Sequence, residues 1–532
     1  MEVPMHFNIH KITDQKWDYV IIGTGIGGSS FGLKMAKAGK KVLFLEKGIL
    51  PTIKGQFAEQ NSNFHSHQQK TLKNAGRCSV SLQDKSKKAV RNYIPFIGSG
   101  VGGSSQLYGM VFERFSESEF ECSQNAWPFS YRIMQHYYQE AEQLFHVQPT
   151  AIQSQANKEV IHHLQNQGLK TYPLWMGKRP SEIECEGCQG LVCHCGKRAD
   201  AYNSCLEQAL EQYGAKLVTN CEVLKLNSDS KSVNSVSCCI STEEGNVEIE
   251  IIGSQFVLAA GALFTPVLLL KSKNEFFPNG LANSSGLVGK NLMRHLIDIY
   301  GLWTKKSPES KRDLKEFGAK HFYFDSEVHR SKGVLQSFGR LPAVPVLLHE
   351  MSEKIENPIV KGLFFLMKPL MGMILQFVRQ RMLFVATILE DSPSIQNQVQ
   401  VDEKGQIQIQ YNVTSKDEVL LKAFRKNIQK YIGKFIQLKL LQAHENERIA
   451  HACGTCRMGK NSENSVVNSL GQTHDIKNLW IVDASIFPSS ASINPSLTIA
   501  ANALRSAEWA LKVESQNELF QNKKVPFMHN IF

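Results

Sequence analysis

The chain of 532 residues is long enough for two or three domains, and its 42% hydrophobic and 20% charged residues are those of a globular protein, which excludes a disordered one. Its 60 basic residues are scattered among 49 acidic ones, and the net charge of +11 gathers in no block. That distribution argues against a nucleic-acid partner and leaves solubility, or a basic surface near anionic membranes. The first residues lack the basic-then-apolar layout of a secretory signal, and no run reaches the ~18 uninterrupted apolar residues of a membrane span. Twelve cysteines in such a chain are expected as reduced thiols. The expected compartment is cytoplasmic, with peripheral membrane contact as the alternative.

An apolar strand (Tyr19–Ile22) runs into Gly23-Thr24-Gly25-Ile26 and Gly28, a helical stretch follows, and a second strand (Val42–Leu45) ends in Glu46. This is the dinucleotide fingerprint in its full context. Gly23 allows the tight turn, Gly25 lets a pyrophosphate approach, Gly28 packs helix on strand, and Glu46 is placed to hold a ribose hydroxyl pair. The motif alone does not separate NAD from FAD. Residues 60–92 are polar and aperiodic, as in a surface loop or lid. A second glycine cluster then covers Ile97–Met110, with Gly102, Gly103, Ser104, Ser105 and Tyr108. It is more than a nicotinamide site requires, and it would bring backbone amides close to a large ligand. Trp127-Pro128 and the apolar period after it predict a proline-started amphipathic helix.

Taken with later segments, these pieces resemble the glucose–methanol–choline (GMC) oxidoreductase family, flavoenzymes that oxidise alcohols with FAD. The matching segments are Gly23–Gly28 with Glu46, Gly98–Met110 with Arg114, Val257–Leu270, Gly286–His295, Glu390–Pro393, and a C-terminal set. That last set is His451–Gly459, Val482–Pro488 and Ile493–Ile499. They span residues 18–510 in the family's order. The resemblance implies an α/β fold in which a Rossmann-like FAD-binding domain of the p-hydroxybenzoate-hydroxylase-like kind is interleaved with an α+β substrate domain on an antiparallel sheet. The expected boundaries are 1–295 with 446–532 for FAD and 296–445 for substrate. It also places Val223 at the adenine through its backbone, Asp483 and Ala484 on the ribityl or pyrophosphate side, and the helix after Pro495 facing the isoalloxazine. Leu107 matches a position where some members attach FAD through His, so non-covalent FAD is implied. Tyr108 stands where members usually carry Asn, and either caps the flavin or is a tolerated aromatic swap.

Residues 185–205 hold five thiols, of which Cys185, Cys188, Cys193 and Cys195 could ligate an iron–sulfur cluster or zinc. Plain thiols in a loop that positions FAD are the alternative that the compressed spacing favours. After an alternating meander to Ile252 and a buried strand at Phe256–Ala260, the composition changes from 296 to 445. Within that region Ile359–Val378 is unusually apolar. At ~100° per residue Lys361, Lys368, Gly372 and Arg379 fall within about 20° of one line. Pro369 is expected to kink or split the helix. Peripheral membrane contact through 359–381, a lid over an apolar substrate, and an ordinary core helix all fit the pattern.

Alcohol oxidation needs the hydroxyl proton removed as hydride leaves carbon, a task suited to imidazole. His451 is the candidate base, and the resemblance puts it at the family's active-site His. Asn494 matches the second active-site position, where an amide donates to the developing alkoxide. His295 falls in a matching motif and is expected to be structural, near the domain junction. The function expected is hydride transfer from an alcohol CH–OH to flavin N5, with a dehydrogenase favoured over an oxidase. The substrate would be a sterol or long-chain alcohol, with a sugar or choline-type alcohol as the nearest rival. A non-oxidative lyase or decarboxylase is a further class. The electron acceptor, whether oxygen, a quinone or a carrier protein, is left open.

Overall fold

The computed structural model describes residues 12–522, apart from 52–75, 87–89, 122–126, 181–191, 194, 307, 309–314, 321–332, 340, 342–343, 354, 356 and 446–448. The expected lid at 60–92 therefore lies mostly outside the described residues, as do Cys185 and Cys188 of the thiol loop.

The elements used below are, in chain order, β1 (Trp17–Ile22), α1 (Ile26–Lys37), β2 (Val42–Leu45), α2 (Tyr131–Leu144), α3 (Gln155–Asn166) and β3 (Thr171–Pro173). Next come β4 (Lys216–Val218), β5 (Cys221–Ser228), β6 (Val233–Ser241), β7 (Asn246–Leu258), α4 (Gly261–Lys271), β8 (Leu296–Trp303), β9 (Phe317–Ala319) and β10 (Gly333–Gly339). The last are α5 (Val344–Glu353), α6 (Pro358–Arg381), β11 (Met382–Leu389), α7 (Ser415–Ile432), β12 (Gln437–Leu441), β13 (Leu479–Ile481) and α8 (Ser496–Asn522).

Two sheets organise them. In the first, parallel strands run β4-β2-β1-β7-β13, with Ile22 beside Leu45 and Leu258, and Leu258 beside Ile481. Such strands are buried on both faces, which is why β1 and β2 read as nearly unbroken apolar runs. β7 is long enough to serve twice. Its first half pairs antiparallel with β6, and β6 with β5, which is the meander read in the sequence. From β1 the chain goes to β2 on one side, while β7 lies on the other. The break in strand order thus falls between β1 and β7, at whose carboxyl ends ligands bind in open α/β sheets.

The second sheet is antiparallel throughout, in the order β12-β8-β11-β10-β9-β3. Helices α3 and α7 cover one face with Val160, Leu164, Leu421, Phe424 and Ile428, against Leu302, Phe317, Leu335 and Val385. This layer draws residues 155–173 from the first half of the chain, in addition to 296–441.

Two local expectations need correcting. α2 begins at Tyr131 with Ser130 at its N-cap, so Pro128 precedes the helix without starting it. α6 continues through Pro369 without a break from Pro358 to Arg381. One proline removes a single ladder hydrogen bond, whereas Asn357 caps the start by accepting from the Ile359 and Val360 amides, and the rest of the ladder survives.

Candidate active site

The turn after β1 brings three glycine segments together. Gly23 has φ +101° and packs so tightly that a Cβ there would lie 2.5 Å from the Ala259 carbonyl oxygen. At Gly28 a Cβ would lie 2.2 Å from the Gly23 oxygen, so α1 can approach the strand only without a side chain. Gly25 differs: a Cβ there would meet nothing within 4 Å. Gly103, in the second cluster, lies against Gly25, and the Gly102 amide donates to Thr24 Oγ1 at 3.1 Å. Gly261 opens α4 at φ +81° and also faces open space. Gly25 and Gly261 each leave their Cβ direction open, at the N-termini of two helices.

Around this cradle each polar residue has a set place. Glu46 closes β2, and its carboxylate accepts from the Thr24 amide (3.1 Å), Thr24 Oγ1 (2.7 Å) and the Gly48 amide (3.0 Å). Val223 lies on β5, the edge strand of the sheet, two residues from Cys221, whose amide donates to the Glu46 carbonyl at 2.9 Å. Asp483 follows β13 and accepts from the Gly261 amide (2.9 Å), Thr265 Oγ1 and the Ser485 amide (2.8 Å). Burial raises its carboxyl above the usual carboxylate value. Ala484 accepts from the Gly454 amide at 3.1 Å, and Pro495 from the Ile499 amide in the first turn of α8. Ser104 Oγ accepts from the Gly98 amide, while Ser105 Oγ donates to the Gly102 carbonyl and accepts from the Ala201 amide, which ties the second cluster to the end of the thiol loop. Tyr108 donates its hydroxyl to the Ala199 carbonyl, and its ring meets Phe112 edge-on at 5.7 Å. Cys193 and Cys195 bring their sulfurs to 3.5 Å, and among the described residues no group of three or more His, Cys, Asp or Glu could hold a metal ion.

The imidazoles form the second part of the site. His451 Nδ1 and His295 Nδ1 are 2.9 Å apart, and His295 Nε2 is 2.8 Å from the Ser490 carbonyl oxygen. Asn494 Nδ2 is 3.4 Å from His451 Nε2. Only one arrangement of protons satisfies this chain when both rings are neutral. A carbonyl accepts and cannot donate, so His295 carries its proton on Nε2 and leaves Nδ1 bare. His451 then donates from Nδ1, and its own Nε2 is bare and accepts from the Asn494 amide. Both rings are held neutral. Burial lowers the His451 pKa well below the ordinary value, and the neighbouring His295 and the Lys315 ammonium lower it further. Burial also lowers that of His295, against the pull of the Asp391 carboxylate.

Backbone strain accompanies the pair, with φ +64° at both His295 and His451. Asp391 fixes the His295 side of the site: it accepts from the backbone amides of Arg294 (2.9 Å) and His295 (3.1 Å), from Tyr411 Oη (2.7 Å) and from Ser490 Oγ (2.9 Å). Lys315 is buried and donates to the Gly109 carbonyl at 3.1 Å. The Asn494 Oδ1 atom is buried with no hydrogen-bond partner among the described residues, so an acceptor stands unused beside His451.

The architecture and these segments point one way, and the comparison with known families decides it. Two sequence models of the GMC oxidoreductase family match, one over residues 17–297 and the other over residues 379–503. The chain is a GMC oxidoreductase. Paromamine 6'-oxidase of Streptomyces fradiae is 24% identical, over 93% of this chain and 91% of its own. The 2-methyl-1,2-propanediol dehydrogenase of Mycolicibacterium austroafricanum is 24% identical over 92% and 94%. A long-chain-alcohol oxidase of Arabidopsis thaliana is 23% identical over 91% of this chain and 67% of its own. Among solved structures, pyridoxine 4-oxidase from Mesorbium loti superposes with a TM-score of 0.65 at 19% identity, covering 93% and 99%. An Aspergillus oryzae formate oxidase variant does so with 0.68 at 14%, covering 95% and 99%.

GMC oxidoreductases bind FAD, and the residues present fit it. The open faces of Gly25 and Gly261 and the two helix N-termini suit a pyrophosphate. Asp483 holds the Gly261 amide, Glu46 holds the Thr24 amide, and the edge strand with Val223 is tied to Glu46 through the Cys221 amide. His295, expected from the sequence to be structural, has its ring against His451. Lys315 was missed altogether, since one lysine in an irregular polar stretch carries no local signal.

Proposed function

We propose that this GMC oxidoreductase oxidises the CH–OH group of an alcohol at a non-covalently held FAD, with His451 as general base and Asn494 as its hydrogen-bond partner. One observation carries the reading. The donor series Asn494 to His451 to His295 to the Ser490 carbonyl leaves the His451 Nε2 lone pair as the site's proton acceptor, beside an unpartnered amide oxygen. FAD, when bound, supplies the acceptor for the hydride.

The protein's own groups do the rest. The substrate hydroxyl replaces the Asn494 N–H on the His451 Nε2 lone pair, that nitrogen takes the hydroxyl proton, and the imidazolium so formed keeps its Nδ1–H on His295. The Asn494 amide has a second N–H with which to stabilise the alkoxide as it develops. The buried Lys315 ammonium opposes protonation of His451 beforehand and favours negative charge on the substrate oxygen. Leu107 is buried and offers no nucleophile for a covalent flavin link.

An apolar alcohol body is supported by the long-chain-alcohol oxidase relative. The paromamine and propanediol relatives favour a polar alcohol as the second reading. An anaerobic titration with ethanol, long-chain alcohols, a sterol and sugars tests both. Flavin bleaching at the lowest concentration by a long-chain alcohol or sterol is expected. Bleaching by sugars alone overturns the apolar substrate, and an intact flavin that no alcohol bleaches overturns alcohol oxidation itself. Comparing turnover on an artificial acceptor under nitrogen with oxygen uptake separates dehydrogenase from oxidase.

A further inference from the structure

Residues 340–381 interrupt a β-hairpin. β10 ends at Gly339, β11 begins at Met382, and Gly339 pairs with Phe384, so both ends of the insert leave from one end of the second sheet. α5 and α6 fill it, and the two family matches, ending at 297 and resuming at 379, leave most of it between them. Of the 24 residues of α6 only Phe364 is buried.

Most of its contacts gather on the line of Lys361, Gly372 and Arg379. A Cβ at Gly372 would touch Leu348 and Val344 of α5 at 3.7 and 3.8 Å, and Arg379 Nε donates to the Leu341 carbonyl at 3.1 Å. Only in the last two turns does the other side also touch the body: the Phe377 ring lies 5.6 Å from that of Trp303, over which the Arg381 guanidinium sits at 5.0 Å. The opposite side carries Ile359, Leu366 and Met373, which are 81%, 77% and 66% exposed. The surface continues past Trp303 to Ile436, 72% exposed, whose carbonyl accepts from the Trp303 amide. Ten large apolar side chains of α6 are at least 40% exposed. Together they present on the order of 1,000 Å² of apolar surface, against about 300–600 Å² for the largest patch on an ordinary monomer.

We propose that α6 docks this face into the acyl layer of a bilayer whose surface is anionic. Charge selects that occupant. The helix carries Lys361, Lys368, Arg379 and Arg381 and no Asp or Glu. Lys361, Lys368 and Arg379 are half-buried on the flank where the apolar face meets the protein body. With the helix in the plane of the membrane, that flank lies at the level of the lipid phosphates. A second copy of the chain pressing the same face against this one would instead bring the two sets of cations together. At 1.5 Å per residue α6 is about 36 Å long, enough to cross a bilayer, yet the insert enters and leaves on one side of the sheet. It therefore lies in the surface and does not span it. The docking surface stands apart from the catalytic reading, and its test needs no turnover.

The flavin-loaded full chain is floated with vesicles of phosphatidylcholine alone and of phosphatidylcholine with one-third phosphatidylglycerol. Recovery at low salt about tenfold higher on the anionic vesicles is expected, falling as salt is raised. The double variant Leu366→Glu/Ile374→Glu should lose about tenfold of that recovery with its flavin spectrum and melting temperature unchanged. Equal recovery on both vesicles, or recovery on neither, overturns the proposal. So does light scattering that shows a dimer which Leu366→Glu converts to monomer, since the face is then an interface between copies.

Discussion

Replacing His295 by leucine removes the acceptor of the His451 Nδ1–H while filling much of the same volume. A buried N–H without a partner costs about 1–3 kcal/mol. His451 escapes that cost by moving its proton to Nε2, where it destroys the lone pair the reaction needs. Over that range the competent tautomer, and with it the limiting rate of flavin reduction, falls roughly 5- to 150-fold. The assay is anaerobic stopped-flow bleaching of the flavin at saturating alcohol, with flavin content and melting temperature measured on the same samples. His295→Gln keeps an acceptor and a donor on one amide, so it should recover a large part of the rate, while sharing with leucine the strain of φ +64°. A leucine variant with full flavin and a rate within twofold of the unaltered protein would refute the tautomer argument. Glutamine and leucine variants that are equally slow would reduce His295 to a packing role.

With His451 as the proposed base, active when neutral, the acid limb of kcat/KM should lie well below pH 6.5. Lys315→Met removes a charge that opposes protonation and should move that limb upward; an unmoved limb would remove Lys315 from the site's electrostatics. Gly25→Ala meets no protein atom, so the apoprotein's melting temperature should hold within a few degrees while FAD affinity drops at least about tenfold. Gly28→Ala, by contrast, drives a Cβ into backbone 2.2 Å away and should cost about 1–3 kcal/mol of stability or more, read by denaturant unfolding of the apoprotein. Acid precipitation should release all flavin into the supernatant; colour retained in the pellet would contradict a non-covalent cofactor at a site with Leu107.

Features written within thirty residues were legible beforehand. The turn Gly23–Gly28 with Glu46 works through spacing along one β-α-β unit, so sequence order carries its geometry. His451 and Asn494 came from their place in a family pattern. The His295–His451 contact joins residues 156 apart across the border of the two sheets, and no local period encodes it. Pro369 does not split α6, because a helix with a capped start outlasts one missing bond. The apolar run 359–378 was visible, but periodicity does not tell which side is covered. The basic line proved to be the packed flank, and the apolar side the outward one, which removes the core-helix reading.

The place of β13 beside β7 sets the order in which the molecule can be completed. The Leu258 strand end waits for Leu479–Ile481, and Asp483 and Asn494 follow only after that pairing. At about 5–20 residues per second, the roughly 220 residues between them take on the order of 10–45 s to synthesise. During that interval the nascent chain holds the glycine turn with one edge of its parallel sheet bare and half of its flavin cradle still unmade. With the flavin site proposed above, cofactor capture should come late in biogenesis, and a chain stopped ahead of His451 should emerge colourless and prone to stick by that open edge.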